Sequence, residues 1–367
     1  MMFLLSTISE TLLYLCFALL MGNYIFSIIP ADLKPKVIIA KKYKLIAAAG
    51  IAVFSFLPLL SLITFLYEDY GIIDSLTSVL LTFEVGKSWI YLLIFSIILG
   101  VFVYLFDHKT DILYSVIGIL LLLVLIMGIG WSTHAHSVHG MKGFLTHIVH
   151  FTSVVVWVGI LFVVSWFSRS YENWSNFLNW FHVTALFCFG IIIVTGLSLM
   201  SFTLEWSQYP DSWMISYGQS LLIKHLLIIP LIGYAFINGI VMKKKLQKDP
   251  SFNPRPWTKV EFIIILGIFA ATGAMGQSSP PHNLSSILSS EGVSILFTQF
   301  YDGVVYAGLN VEFSLQTNGI LLLLLACVFF VLSIMSFFKK MGPIFSFIMS
   351  IFVVISVYFA LLLSVQV

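Results

Sequence analysis

Histidine is the residue type in this chain whose spacing most clearly suggests chemistry. The densest stretch is residues 127–150, where three histidines fall within six residues and two methionines flank them: Met127, His134, His136, His139 and Met141. Imidazole and thioether groups together suit copper, and imidazole alone also suits zinc or nickel. We therefore predict a copper site in this stretch. The alternative is a polar loop in which histidine replaces lysine or aspartate.

A second pair, His147 and His150, is spaced to lie on one face of a helix, and Trp157 shares the face of His150. His225 lies seven residues into a later apolar segment, roughly 10 Å deep. Ionisable groups inside a membrane usually face the bundle interior and mark a pathway or a cofactor. We predict that His147, His150 and His225 bind a metal ion or, as an alternative, a b-type haem.

Several other polar or sulfur-containing side chains are candidates for supporting roles. His282 is predicted to join the outer histidines, and His182 is a candidate ligand if haem is bound. His108 is expected to be solvated. The predicted pathway or supporting residues are Glu10, Met127, Trp157, Met200, Tyr217, Lys224 and Met275. Methionine in apolar helices is more often packing than ligand, so the assignment of Met200 and Met275 rests on position alone.

The composition defines the elements that must position these side chains. Of 367 residues, 60% are hydrophobic and 9% are charged, with a net charge of +2. Soluble globular proteins have about 45–50% apolar and about 25% charged residues. The chain is therefore predicted to be an integral membrane protein that binds neither nucleic acid nor nucleotide, since it has no basic surface and no Walker A motif.

Ten apolar segments are long enough to cross a bilayer, and we expect an all-α, polytopic bundle. They are residues 4–29, 45–67, 87–106, 112–131, 146–167, 177–203, 218–242, 259–276, 318–338 and 343–365. Residues 1–29 contain no lysine or arginine, so we expect a retained first helix rather than a signal peptide. Residues 72–84 and 284–303 are expected to form outer interfacial helices.

The distribution of lysine and arginine among the loops predicts the orientation of the chain in the membrane. The loops that follow the odd-numbered segments hold 15 of the 18 basic residues. The positive-inside rule then predicts that both termini lie outside. We expect a copper-handling domain over residues 1–282, an outer loop with an interfacial helix over 283–317, and two additional helices over 318–367.

Three stretches resemble the CopD-type copper-resistance and copper-transport membrane family. They are HFTSVVVWVGIL at 150–161, YGQSLLIKHLLIIPLIGYAFIN at 217–238 and EFIIILGIFAATGAMGQSSPPH at 261–282. The resemblance is strongest over 110–282. It implies copper handling in a bacterial inner membrane and roles, some structural, for His150, Trp157, Tyr217, Gly218, Lys224, Glu261, Pro280 and Pro281. Many relatives work with a secreted copper-binding domain, which is absent from this chain.

Three functions are compatible with these observations. The leading prediction is copper transport or delivery through the outer His/Met cluster and the intramembrane histidines, with membrane lipid and an extracytoplasmic copper-binding protein as partners. The second is a b-type haem redox protein that reduces Cu(II) or serves quinol. The third is an assembly factor that delivers copper to a respiratory oxidase without transporting it.

Overall fold

The computed structural model describes residues 1–107, 111–301, 303, 305, 309 and 311–366. Within this part of the chain, ten helices are long and apolar enough to cross a membrane. This confirms the predicted all-α, multi-pass architecture. His108 lies outside the described residues, so its expected solvation stays a prediction, as does the location of the termini.

The first compact unit comprises residues 1–202 and 249–252. Its helices are α1 (Met2–Ile28), α2 (Lys41–Leu81), α3 (Glu84–Phe106), α4 (Ile112–Trp131), α5 (His134–Phe167) and α6 (Trp174–Ser201). Helix α1 packs against α2, α4 and α5, and α5 also packs against α6. Helix α1 is therefore the central helix of this unit.

The second compact unit comprises residues 203–248 and 253–367. Its longer helices are α7 (Ser216–Phe236), α9 (Arg255–Gly276), α12 (Thr317–Phe338) and α13 (Pro343–Leu362). Its short helices are α8 (Met242–Lys248), α10 (Leu284–Ser290) and α11 (Ile295–Thr298). Strands β1 (Glu312–Phe313) and β2 (Val365–Gln366) pair antiparallel. A π-helical turn, Ile237–Val241, joins α7 to α8.

The two units divide near residue 202, whereas the sequence suggested a boundary at 282. Helices α12 and α13 pack on α7, and α13 also contacts α9, so the last two helices belong to the same unit as α7 and α9. Hydroxyl groups hold this packing: Tyr234 donates to Ser346 at 2.7 Å, and Ser333 lies 2.9 Å from Ser350. The functional division of the chain stays a prediction.

Small residues allow α1 and α5 to approach closely. Gly22 faces the backbone carbonyl of Gly159, and a Cβ atom on Gly159 would lie 2.5 Å from the Ala18 carbonyl oxygen. Phe17 packs edge-on against Phe151 beside this contact. Lipid provides no hydrophobic drive for helix association, so such close backbone packing is a main source of stability.

Glycines break two of the long helices. Helix α2 has 41 residues, roughly 60 Å if straight, and Gly71 interrupts it with φ of 75°. The expected helix at 72–84 is present as the segment after Gly71; its place at the interface stays a prediction. Gly140 interrupts α5 in the same way, with φ of 56°. Residues 134–139 form a helical turn before Gly140 rather than a loop, and whether their histidines bind metal or only serve as polar surface residues stays a prediction.

The segment 284–303, expected to form an interfacial helix, does not form one continuous helix in the structure. It is divided into α10 and α11, because Gly292 adopts a φ of 79° between them. Phe297 of α11 is buried in a core cluster with Trp213 and Leu226. This segment therefore contributes a core side chain to the second unit.

Candidate functional site

Helix α5 carries five of the predicted metal-binding histidines in two groups. His134, His136 and His139 precede the break at Gly140, and His147 and His150 follow it. The helical turn before the break packs back on the main part of α5, where a Cβ atom on Gly143 would clash with the Ala135 carbonyl. The two groups are thus presented by separate helical segments of one element.

The hydrogen bond of His136 fixes which of its ring nitrogens can bind a metal. Its Nδ1 atom lies 3.1 Å from the carbonyl oxygen of Gly140. A carbonyl only accepts, so a neutral His136 donates from Nδ1 and has its lone pair at Nε2. The ring lies between Trp131 and Phe144, with centroid distances of 6.3 and 5.5 Å.

His139 uses its other nitrogen in the same way. Its Nε2 atom is 2.9 Å from the carbonyl oxygen of Phe202, and its ring stacks on the Phe202 ring at 4.5 Å. The lone pair of a neutral His139 is therefore at Nδ1. The His139 side chain is exposed.

His150 is oriented by helix α6. Its Nδ1 atom lies 2.9 Å from the hydroxyl oxygen of Thr195, and that hydroxyl donates its single hydrogen to the Ile191 carbonyl at 2.6 Å. Thr195 must therefore accept from His150, which leaves the His150 lone pair at Nε2. Gly196 leaves room for the ring, since a Cβ atom there would contact the imidazole.

His147 and Trp157 lie on the same helix as His150, and neither is exposed. His147 is half-buried, with its ring centroid 6.2 Å from that of Phe151. Trp157 is buried and packs edge-on against Phe189 of α6. Within the described residues, the Trp157 indole nitrogen has no hydrogen-bond partner. Trp157 is therefore placed as a packing residue between α5 and α6.

His225 belongs to the second unit and has a tyrosine partner. The hydroxyl of Tyr209 lies 2.8 Å from His225 Nδ1, and the ring centroids are 5.6 Å apart. Burial raises the pKa of Tyr209 to about 12, so its hydroxyl is protonated at neutral pH. Sequence reasoning missed Tyr209, because a tyrosine in a loop has no distinguishing pattern. The expected pairing of His225 with His150 stays a prediction.

Carboxylates lie beside the histidines or within the helices. Glu10 accepts from the hydroxyl of Tyr14 at 3.2 Å, one helical turn away, which identifies a partner that the sequence left open. Glu84 accepts from Trp131 at 2.8 Å and pairs with Lys87 at 2.9 Å. Since Trp131 also lies near His136, Glu84 places negative charge beside the first histidine group.

Glu261 lies in a buried pair in the second unit. Its Oε2 atom accepts from the side-chain amide of Asn238 at 2.7 Å, and the same amide lies 3.3 Å from the Trp257 carbonyl. Both Asn238 and Glu261 are buried. Asn238 lies in the π-helical turn, a distortion that often accompanies functional sites. The pair joins two of the stretches that carried the family resemblance.

The remaining predicted residues lie apart along the two units. Four of them are exposed: His134, His282, Met127 and Met141. Met200 is buried, and four are half-buried: His182, Tyr217, Lys224 and Met275. In the part of the chain that the structure describes, no group of three or more His, Cys, Asp or Glu side chains could hold a metal ion. The predicted ligands therefore do not form a closed site with three such groups.

The fold and these side chains define a multi-pass helical membrane protein with histidines on its helices. Residues 175–275 match the family model CopD, described as copper resistance protein D. This match confirms the predicted CopD-type resemblance and supports a membrane protein related to copper resistance or transport. Searches of curated proteins and of solved structures found no match to the chain.

The matched segment covers α6 to α9 and therefore includes His182, Thr195, His225, Asn238 and Glu261. It leaves out α5 and its five histidines. The family match and the densest histidine cluster thus come from different parts of the sequence and are independent observations.

Proposed function

We propose that the protein transports or delivers copper across the bacterial cytoplasmic membrane and that the histidines of α5 are its main ligands. One observation carries this proposal. Hydrogen bonds hold one ring nitrogen of His136, His139 and His150, so that the lone pair of each neutral ring is on the other nitrogen. Metal-ligating histidines are held by outer hydrogen bonds of this kind.

The choice of copper rests on the ligand types and on the family match. Imidazole and thioether suit copper, and Met127 and Met141 are exposed near the first histidine group. The CopD match over residues 175–275 favours the same metal.

The arrangement favours transfer over storage. Within the described residues, no three His, Cys, Asp or Glu side chains form a closed site, and several weak sites would allow an ion to pass from one to the next. We propose that copper arrives from an extracytoplasmic copper-binding protein at His134, His136, His139 and Met141. It then passes to His147 and His150 beyond Gly140. His225 and His282 are further proposed ligands in the second unit.

Copper uptake into proteoliposomes tests this proposal. The His134→Ala, His136→Ala double variant and the His150→Ala variant are expected to lose most of the uptake that the unmodified chain supports. His182→Ala is the matched control, because His182 is a ligand only under the haem alternative. Uptake by both ligand variants at the unmodified rate would refute the proposed path.

A visible spectrum of the protein purified in detergent separates the alternatives. The transport proposal predicts a protein without a haem absorption band. A Soret band that is lost in His150→Ala or His225→Ala would instead support the b-type haem redox protein. Absence of uptake together with low oxidase copper in cells lacking the gene would support the assembly factor.

A further inference from the structure

The first unit contains a cleft at the ends of its helices, on the lysine-rich side predicted to be cytoplasmic. It lies between the segment that follows α1 and the segment that joins α5 to α6, and its volume is about 510 Å³. Its polar lining comes from Asn23, Ser27, Lys34, Lys36, Glu172 and Asn173. The copper proposal makes no use of it.

Side-chain amide and indole groups hold one wall of the cleft. Asn173, which adopts a left-handed backbone conformation with φ of 59°, donates from its amide to the Ala31 carbonyl at 3.1 Å. Asn176 donates to the Asp32 carbonyl at 2.9 Å, and the Trp180 indole donates to the Leu33 carbonyl at 2.8 Å. Residues Ala31–Leu33 form a short 3₁₀ turn after α1, and its three consecutive carbonyls are therefore tied to the first part of α6.

Backbone hydrogen bonds hold the next part of the same segment. Ile38 donates to the Phe167 carbonyl at 3.2 Å, and Arg169 donates to the Lys36 carbonyl at 2.8 Å. The segment that carries Lys34 and Lys36 is thus fixed at both ends of the cleft. The cleft is preformed, so a ligand would bind without ordering its walls.

Charges of both signs line the cleft without neutralising one another. Lys34 and Lys36 supply two ammonium groups and Glu172 supplies one carboxylate. Over the described residues, no ion pair links Glu172 to either lysine. Lys34 donates to the Phe26 carbonyl at the end of α1, and an ammonium group has three hydrogens to donate. Burial lowers the pKa of Lys34, so an added anion would stabilise its charge.

The cleft lies at the ends of three candidate membrane spans, where the headgroups of a bilayer are expected. It lies where α1 ends at Ile28, α5 ends at Phe167 and α6 begins at Trp174. Spans end at the boundary between hydrocarbon and headgroups, where Trp and Tyr are enriched. Trp180 and Tyr171 lie at this end of α6, as expected for such a boundary.

We propose that this cleft binds a phosphoethanolamine group, with its phosphate at Lys34 and Lys36 and its ammonium at Glu172. The Glu172 carboxylate would repel a purely anionic headgroup, and the two lysines would repel a purely cationic ligand. A zwitterion that has one phosphate and one ammonium satisfies both signs. Phosphatidylethanolamine and free phosphoethanolamine share this chemistry.

Native mass spectrometry of the full chain, titrated with phosphatidylethanolamine or phosphatidylglycerol, tests the proposal. The unmodified chain is expected to prefer phosphatidylethanolamine. Lys36→Gln is expected to weaken its binding roughly tenfold, the loss of one charge-assisted hydrogen bond. Lys339→Gln, an exposed lysine outside the cleft, is the matched control and should bind like the unmodified chain.

Glu172→Gln gives the sharpest result, because removal of the carboxylate should shift the preference towards phosphatidylglycerol. A change that only disturbs the fold would weaken both lipids equally. Competition by free phosphoethanolamine would identify a soluble ligand, and its failure to compete would identify the lipid. Equal binding of the two lipids by the unmodified chain, or an unchanged preference in Glu172→Gln, would overturn the proposal.

Discussion

At the scale of single residues, the histidines were predictable and the groups that orient them were not. His136, His139 and His150 were identified by residue type and spacing. Two of their partners are backbone carbonyls, of Gly140 and Phe202, and a carbonyl leaves no trace in a sequence. Thr195 is a side-chain partner, but a threonine in an apolar helix usually bonds to its own backbone. Its second role depends on the packing of α5 against α6.

Thr195→Val should weaken copper binding at His150. The variant keeps the shape of the side chain but removes the oxygen that accepts from His150 Nδ1. Loss of such an outer hydrogen bond typically costs about 10–100-fold in metal affinity. Competition for Cu(I) with a coloured chelator measures the change.

Two further variants control this experiment. Thr195→Ser keeps the hydroxyl and should bind copper as the unmodified chain does. Thr184→Val, on the same helix, removes a hydroxyl that donates to the Trp180 carbonyl of its own helix, and it should leave affinity unchanged. If Thr195→Val also leaves affinity unchanged, Thr195 does not position a metal ligand.

At the scale of helices, hydropathy predicted all ten spans within a few residues at most ends, because bilayer thickness fixes their length. The exceptions are instructive. Helices α2 and α5 extend well beyond the predicted spans. In each of them a glycine with positive φ, Gly71 or Gly140, changes the direction of the chain, and helix continues on both sides of it. A glycine with positive φ cannot be distinguished in sequence from one that only provides space.

Gly159→Ala should destabilise the first unit. The added methyl group would lie 2.5 Å from the Ala18 carbonyl oxygen and force α1 away from α5. Overpacking of this kind costs typically about 1–3 kcal/mol. Thermal unfolding in detergent, followed by circular dichroism, should show a lower melting temperature.

Gly190→Ala is the matched control for Gly159→Ala. Gly190 also lies within a membrane-spanning helix, but a Cβ atom there meets nothing within 4 Å. Alanine has a higher helix propensity than glycine, so this variant should be as stable as the unmodified chain or more stable. Equal melting temperatures for the two variants would contradict the close contact of α1 with α5.

At the scale of the whole molecule, the orientation rests on charge and stays a prediction. It depends on how the 18 basic residues are distributed among the loops. The grouping of α7 and α9 with α12 and α13 could not be predicted in this way, because it depends on which side chains fit together. Tyr234 is 112 residues from Ser346, and its hydroxyl meets the Ser333, Ser346 and Ser350 cluster only in the folded unit.

Cysteine labelling in intact cells should confirm the predicted orientation. Ser137→Cys, at an exposed position before Gly140, should react with a membrane-impermeant maleimide from outside. Lys244→Cys, in the lysine-rich segment after α7, should react only after the membrane is permeabilised. The unmodified chain, with its three native cysteines, gives the background. The reverse pattern would invert the topology and with it the proposed entry side.

The break at Gly140 has a mechanical consequence. Only glycine adopts its backbone conformation, φ 56° and ψ −135°, at low cost, so two torsion angles of one residue set the direction of the segment before it. The angle between the segment that carries His134, His136 and His139 and the membrane helix that carries His147 and His150 therefore depends on this glycine. A single residue thus sets how the two histidine groups of the proposed ligand series face each other.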